Sequence, residues 1–215
     1  MARSSLQDSL RQSPVFSALS DEILLQVVQQ SLRRSVAAET LLFSVGEPCQ
    51  EILLILSGKV RLWRQSERGQ VTILHRCEAG DILGQMSVLN NAPHSVNATS
   101  DEECELWRVQ ASVFRDLLVK SPEAVLRLAI LLAERVRDLS RELEELRFLS
   151  VQERVGKKLK ELGAGRRELK LTHESLAQEI GSTRENVSRA LAVFSEQGAV
   201  ELRRGTIELL DLSLF

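Results

Sequence analysis

LTHESLAQEIGSTRENVSRALAVFSE, residues Leu171–Glu196, reads as two short helices broken by a turn at Gly181. Thr172 stands where the first helix needs a cap, and Ser182 with Glu185 has the spacing of a capping box for the second. Arg184, Glu185 and Arg189 fall on one side of the second helix, near its start. Two arginines and a carboxylate there suit the major groove of DNA. An arginine donates to guanine O6 and N7 together, and a carboxylate accepts from cytosine N4. A blander reading keeps Glu185 as half of the capping box and Arg189 as a solvated charge. For Glu185 both roles stay open. The segment points to DNA recognition and away from catalysis.

Outward from this segment, Val200–Leu210 (VELRRGTIELL) holds two alternating runs around Arg203-Arg204-Gly205-Thr206. That pattern predicts a β-hairpin, and a hairpin behind two such helices makes a winged helix. Small hydroxyl and basic residues at the rim, Thr172, Ser182, Thr183, Ser188, Arg203 and Arg204, are the expected phosphate contacts. Upstream, Ser150 and Glu153 form a capping box that opens a helix over Val151–Leu162, stopped at Gly163-Ala164-Gly165.

Ser121-Pro122 supplies an N-cap and a first-turn proline. No Gly or Pro follows until Gly156, so the helix beyond is long. Ala129, Leu132, Val136, Leu139, Leu143 and Leu146 step by 3 and 4, the seam of a coiled coil. The same stripe could pack on the chain's own domain. Its place between a β-rich region and a DNA reader favours a parallel homodimer, because such readers bind paired half-sites.

Ser20, Asp21 and Glu22 begin a short helix with apolar residues at Ile23, Leu24, Val27 and Val28. Residues 1–12 are polar and expected to fray. From Val36 to Arg108 short β-rich runs alternate with turns, and Gly46, Gly58, Gly69, Gly80 and Gly84 punctuate them. A small antiparallel barrel or roll is expected, with glycines at positive φ. The predicted class is α+β: an antiparallel β-roll with flanking short helices over 1–121, a long helix over 122–149, and a winged helix-turn-helix over 150–215.

Composition narrows the classes without choosing one. The chain has 215 residues, 43% hydrophobic and 27% charged, and a formal net charge of −2. From Val151 onward it carries eleven Lys and Arg against ten Asp and Glu, too small an excess to signal nucleic acid. Cys49, Cys77 and Cys104 are far apart, with no CxxC pair, so neither a disulfide framework nor a zinc ribbon is suggested. The N-terminus lacks an apolar signal core and no apolar run reaches bilayer length, so a cytoplasmic protein without a membrane partner is expected. A cupin-like metalloenzyme would need a His and carboxylate cluster. The histidines are His75, His94 and His173, without an HxH, so no metal site or catalytic residue is assigned.

GSTRENVSRAL (181–191), EAGDILGQMSVL (78–89) and the order of elements give the chain a resemblance to the Crp/Fnr family of bacterial transcription regulators over about residues 14–215. The resemblance implies a homodimer with a cyclic-nucleotide-binding-like β-roll, a dimerisation helix and a winged helix. It also implies palindromic double-stranded promoter DNA and RNA polymerase as partners. In the catabolite activator branch the reading pattern is R-E-x-x-x-R, matched by Arg184, Glu185 and Arg189. By resemblance the arginines read guanines, Glu185 reads a cytosine, and the site is a palindrome with TGTGA-like arms.

The effector region departs from the family. Cyclic-AMP-binding members resemble G-E-x-x-L-L-x-x-x-x-R-S-A, whereas this chain has Gly84, Gln85, Met86, then His94 and Ser95. The adenine-contacting Thr-Ser pair is represented by Leu139 and Ser140. A cyclic phosphate pairs best with a guanidinium fork, and a histidine is mostly neutral near pH 7. Losing a charge-assisted bond costs about 1.5–3 kcal/mol. Cyclic AMP is therefore not expected, and no cofactor is assigned. The alternative is an effector-dependent member that senses another small molecule or haem. Iron–sulfur members need cysteines near the N-terminus, and the first here is Cys49. His75 and Cys77 share a strand face, but haem ligation has no further support in the sequence.

Overall fold

A computed structural model describes residues 10–215. Contacts divide the chain into two compact units: residues up to Arg64 with Leu74–Val136, and Gln65–Ile73 with Arg137–Phe215. The expected fraying of residues 1–12 falls largely outside the described residues. Within them, Leu10 is fully buried and Arg11 is paired with Asp21, so order begins earlier than expected. A leucine among polar neighbours found the core.

The first unit opens with helices α1 (Pro14–Ser17) and α2 (Asp21–Gln29). The Ser20 hydroxyl accepts from the Ile23 amide at 3.4 Å, as the cap signal predicts. Two antiparallel sheets follow. One has the order β1 (Ser31–Val36), β8 (Cys104–Gln110), β3 (Glu51–Ser57), β6 (Ile82–Leu83); the other β2 (Leu41–Phe43), β7 (Asn97–Ser100), β4 (Val60–Gln65), β5 (Val71–Cys77). Strand β3 reads EILLILS and is buried at four consecutive positions instead of alternating. Its two faces lie in different cores. Ile52 and Leu54 join Phe16, Trp107 and Phe114 under the helices, while Leu53 and Ile55 join Phe43, Val60 and Ala98 between the sheets. A sheet covered on both sides has no polar face, which is why the strand is a continuous apolar run. The rings of Phe16 and Trp107 meet edge-to-face at 5.3 Å.

Gly58 shows why a glycine is needed at a turn. Its φ is 89°, and a Cβ there would lie 2.5 Å from the Glu103 carbonyl oxygen. Helix α3 (Gln85–Asn90) starts at Gly84, whose φ of 85° few other residues adopt. Helix α4 (Ala111–Lys120) leads to α5 (Pro122–Phe148), where the Ser121 hydroxyl accepts from the Ala124 amide at 3.3 Å. Helix α5 is unbroken for 27 residues.

The second unit is built on α6 (Val151–Leu162), α7 (His173–Ile180) and α8 (Arg184–Glu196). The Ser150–Glu153 capping box is present. A three-stranded sheet runs β10 (Val200–Arg203), β11 (Thr206–Leu209), β9 (Glu168–Leu169). The hairpin was legible in the sequence; β9, only two residues long, shows no period and was not. Val155, Leu159, Leu176, Val187, Leu191, Phe194 and Ile207 form one core, with Phe215 edge-on to Phe194 at 4.8 Å.

Candidate nucleic-acid interface and effector region

Helix α7 begins at a reciprocal cap. The Thr172 hydroxyl accepts from the Ser175 amide and the Ser175 hydroxyl accepts from the Thr172 amide, both at 3.0 Å. The helix ends at Gly181, whose φ of 63° turns the chain toward α8. The start of α8 differs from expectation. Thr183 is the cap, its hydroxyl accepting from the Asn186 amide at 3.3 Å, and Ser182 is buried. The predicted Ser182–Glu185 box does not form: Thr183, one residue later, holds the extended capping conformation at φ −94° and ψ 152°. Glu185 thus lies outside the cap. The Ser182 carbonyl accepts from Gln70 Nε2 at 2.7 Å, within the same unit.

Helix α8 buries Val187, Ala190, Leu191 and Phe194, a helical stripe that fixes which side faces outward. Arg184, Glu185 and Arg189 are all exposed on the remainder. Arg189 donates to the Asn186 side-chain oxygen, which aligns its stem along the helix. Ser188 is only half-buried, and its hydroxyl is bonded to His173 Nδ1 at 2.8 Å, tying α7 to α8. Burial, and then the nearby Arg184 guanidinium, hold His173 below the ordinary histidine range, so that the tie is made by a neutral ring at pH 7.

The other expected phosphate contacts divide. Thr172 and Thr183 are spent on caps, Ser182 is buried, and Ser188 is engaged by His173. Arg203 is held between Glu201 at 3.1 Å and Glu208 at 3.0 Å, so two carboxylates already offset its charge. Arg204 stands exposed at the wing tip beside Gly205. Sequence spacing saw the arginines but not the carboxylates that the hairpin register sets beside one of them.

On α5 the predicted seam is largely uncovered. Val136 is 62% exposed, Leu139 47%, Leu143 49% and Leu146 52%, whereas Leu132 is half-buried against the first unit's core. Leu139 and Ser140 both lie exposed on this helix.

In the effector region His94 is 8% exposed and stacked on Phe43, with ring centroids 3.8 Å apart and planes 9° from parallel. Desolvation lowers its pKa, so the ring is neutral at pH 7. It lines a cavity of about 200 Å³ with Phe43, Glu47, Glu51 and Arg108 among others. Arg108 donates to both Glu51 oxygens at 2.9 Å, which leaves the cavity no cation in excess. Gly84, Gln85, Met86 and Ser95 do not line it, and Met86 is 55% exposed. Sequence spacing missed Arg64, whose Nη1 donates to the Ser95 carbonyl at 2.6 Å. No motif could reveal it, since strand pairing alone brings it there.

A domain folded as a β-roll, a long helix and a winged helix with an arginine-bearing outer face define a DNA-binding regulator of the cyclic-nucleotide-receptor type. The comparisons with known proteins agree. Residues 33–121 match the family described as Cyclic nucleotide-binding domain, and residues 127–214 the Crp-like helix-turn-helix domain. The chain is 33% identical over 208 residues to the Cyclic AMP receptor protein of Thermus thermophilus, covering 95% of this chain and 96% of that protein. It is 31% identical over 178 residues to a CRP-like cAMP-activated global transcriptional regulator of Mycobacterium tuberculosis, covering 79% and 80%. A crystal structure of a Crp/Fnr-family transcriptional regulator from Eubacterium rectale matches with a TM-score of 0.84 at 26% identity, over 95% of this chain and 96% of that one. The chain belongs to the Crp/Fnr family of transcription regulators. Among the described residues no helix is long and apolar enough to cross a membrane.

Proposed function

We propose that this regulator acts in the cytoplasm as a homodimer that reads a palindrome with TGTGA-like arms and recruits or blocks RNA polymerase, without control by cyclic AMP. It has no catalytic role. Residues 1–121 form the sensor-like part, 122–149 the dimerisation helix and 150–215 the reader. The observation that carries the DNA reading is the exposed Arg184, Glu185 and Arg189 on a helix whose opposite side is locked in the core. The exposed leucines Leu139, Leu143 and Leu146 support self-association, since two copies would bury on each other what one copy exposes. The neutral, ring-stacked His94 supports independence from cyclic AMP. Selection of bound DNA from a random pool tests the arms. Calorimetry with cyclic AMP and a gel shift without nucleotide test the effector. Micromolar cyclic AMP affinity with DNA binding strictly dependent on it would overturn this reading.

A second reading rests on Arg64. Its guanidinium beside Ser95 is a cation that strand β4 delivers to the region His94 leaves uncharged, and an anionic effector other than cyclic AMP would use it. Arg64→Ala then weakens effector-dependent DNA binding and leaves basal binding unchanged.

A further inference from the structure

Strand β5 places His75 and Cys77 on one face, as side chains two apart in a strand must be. The turn after it brings Asp81 back to the same place. Gly80 takes a φ of 97°, and the Asp81 carboxylate accepts from the Glu78 amide at 2.8 Å. One ligand atom from each of His75, Cys77 and Asp81 then lies within 4.8 Å of the others. Cys77 is buried in the core, whereas His75 and Asp81 are half-buried, so solvent reaches the cluster from their side. Cys49 and Cys104 are in no such group among the described residues.

We propose that His75, Cys77 and Asp81 form a three-ligand site for a thiophilic divalent cation of the zinc class, with water as the fourth ligand. The donor set is one nitrogen, one sulfur and one oxygen. Magnesium and calcium take oxygen donors, so a cysteine at the centre selects against them. Zinc-to-ligand lengths place tetrahedral donors about 3.5 Å apart, so closure asks each side chain for shifts of about an ångström or less. A thiolate and a carboxylate together offset the charge of a dication. The proton that coordination displaces is the one on the Cys77 sulfur. Coordination forms one metal–sulfur bond and releases one proton per cation to solvent. Arg135 of α5 donates to the Leu74 carbonyl at 2.8 Å, one residue before the first ligand. The site thus joins β5, the following turn and a contact from the long helix.

Cobalt(II) titration of the full-length protein, stripped with a chelator, tests this. One equivalent should produce a thiolate-to-cobalt charge-transfer band with intense visible bands of a tetrahedral site, and zinc should bleach both. Cys77→Ser should lose the charge-transfer band, His75→Gln and Asp81→Asn should weaken binding at least about tenfold, and Cys49→Ser should leave it unchanged. No band at one equivalent, a band that survives Cys77→Ser, or unchanged affinity in both His75→Gln and Asp81→Asn overturns the site. A second measurement avoids any folding loss in Cys77→Ser. Zinc, but not magnesium, should slow alkylation of Cys77 in the unaltered protein, read by peptide mass spectrometry. Equal alkylation rates with and without zinc overturn the site as well. Neither measurement depends on which DNA the regulator reads.

Discussion

The outer face of α8 and the region around His94 meet charge in opposite ways. On α8 the apolar side carries all the packing, so the polar side is left to present Arg184, Glu185 and Arg189 to water. Around His94 the titratable ring itself is packed, on Phe43, and is driven to its neutral form. A guanidinium would keep its charge there and resist burial, whereas an imidazole can shed a proton and stack. His94 is therefore a packing position, its ring buried against Phe43. The same chain leaves charge exposed on one face and buries a neutral ring at the other.

The largest effect on this contrast comes from the element between the two regions. Leu139→Asp with Leu143→Asp should convert dimer to monomer in sedimentation. Binding to a palindrome should fall by roughly 100-fold or more, since the second half-site no longer profits from the first. An unaltered protein that sediments as a monomer at micromolar concentration would remove the dimer from the account.

Next in size is the reading face. Arg189→Ala should cost about 1–3 kcal/mol per half-site, chiefly on sites with the correct guanine. Identical sequence preferences in the variant and the parent would show that the reading face is elsewhere.

Glu185 and Thr183 separate readout from folding. Because the cap is Thr183, Thr183→Ala should lower stability by about 0.5–2 kcal/mol in denaturant unfolding. Glu185→Ala should relax preference at one cytosine with little stability change. A destabilised Glu185→Ala with unchanged preference would return Glu185 to a structural role.

The smallest effect is a pH dependence. Burial lowers the His94 pKa in the folded protein, so below about 6.5 the unfolded chain binds a proton that the folded one resists. Stability should therefore fall as pH drops through that value, and level off once the folded form is protonated as well. In His94→Gln this component should vanish from thermal melts compared at pH 7 and below pH 6. An identical slope in the variant would assign it to another group, His173 being the first candidate, since it is depressed in the same direction.

Much of this architecture was legible in the residues, because the signals were local. The caps at Ser20, Thr172 and Ser150, the turn glycines and the repeat of α5 each act within one helical turn or one hairpin. The outward side of α8 was legible too, since a helix exposes whatever its apolar stripe does not bury. Long-range placement was not. Ser182 and Ser188 look like phosphate contacts in sequence, yet one is buried and the other is bound to His173 fifteen residues away. Arg203 looks like a free cation until hairpin register brings Glu208 beside it. The strand face of His75 and Cys77 was visible, but Asp81 joins it only through the turn at Gly80. Sequence by itself determined the element order and the reader's outward side, because periodicity and capping act over a few positions. Tertiary structure decided which cap forms, which cation is offset and where His94 puts its ring, because those follow from contacts between segments that no spacing along the chain records.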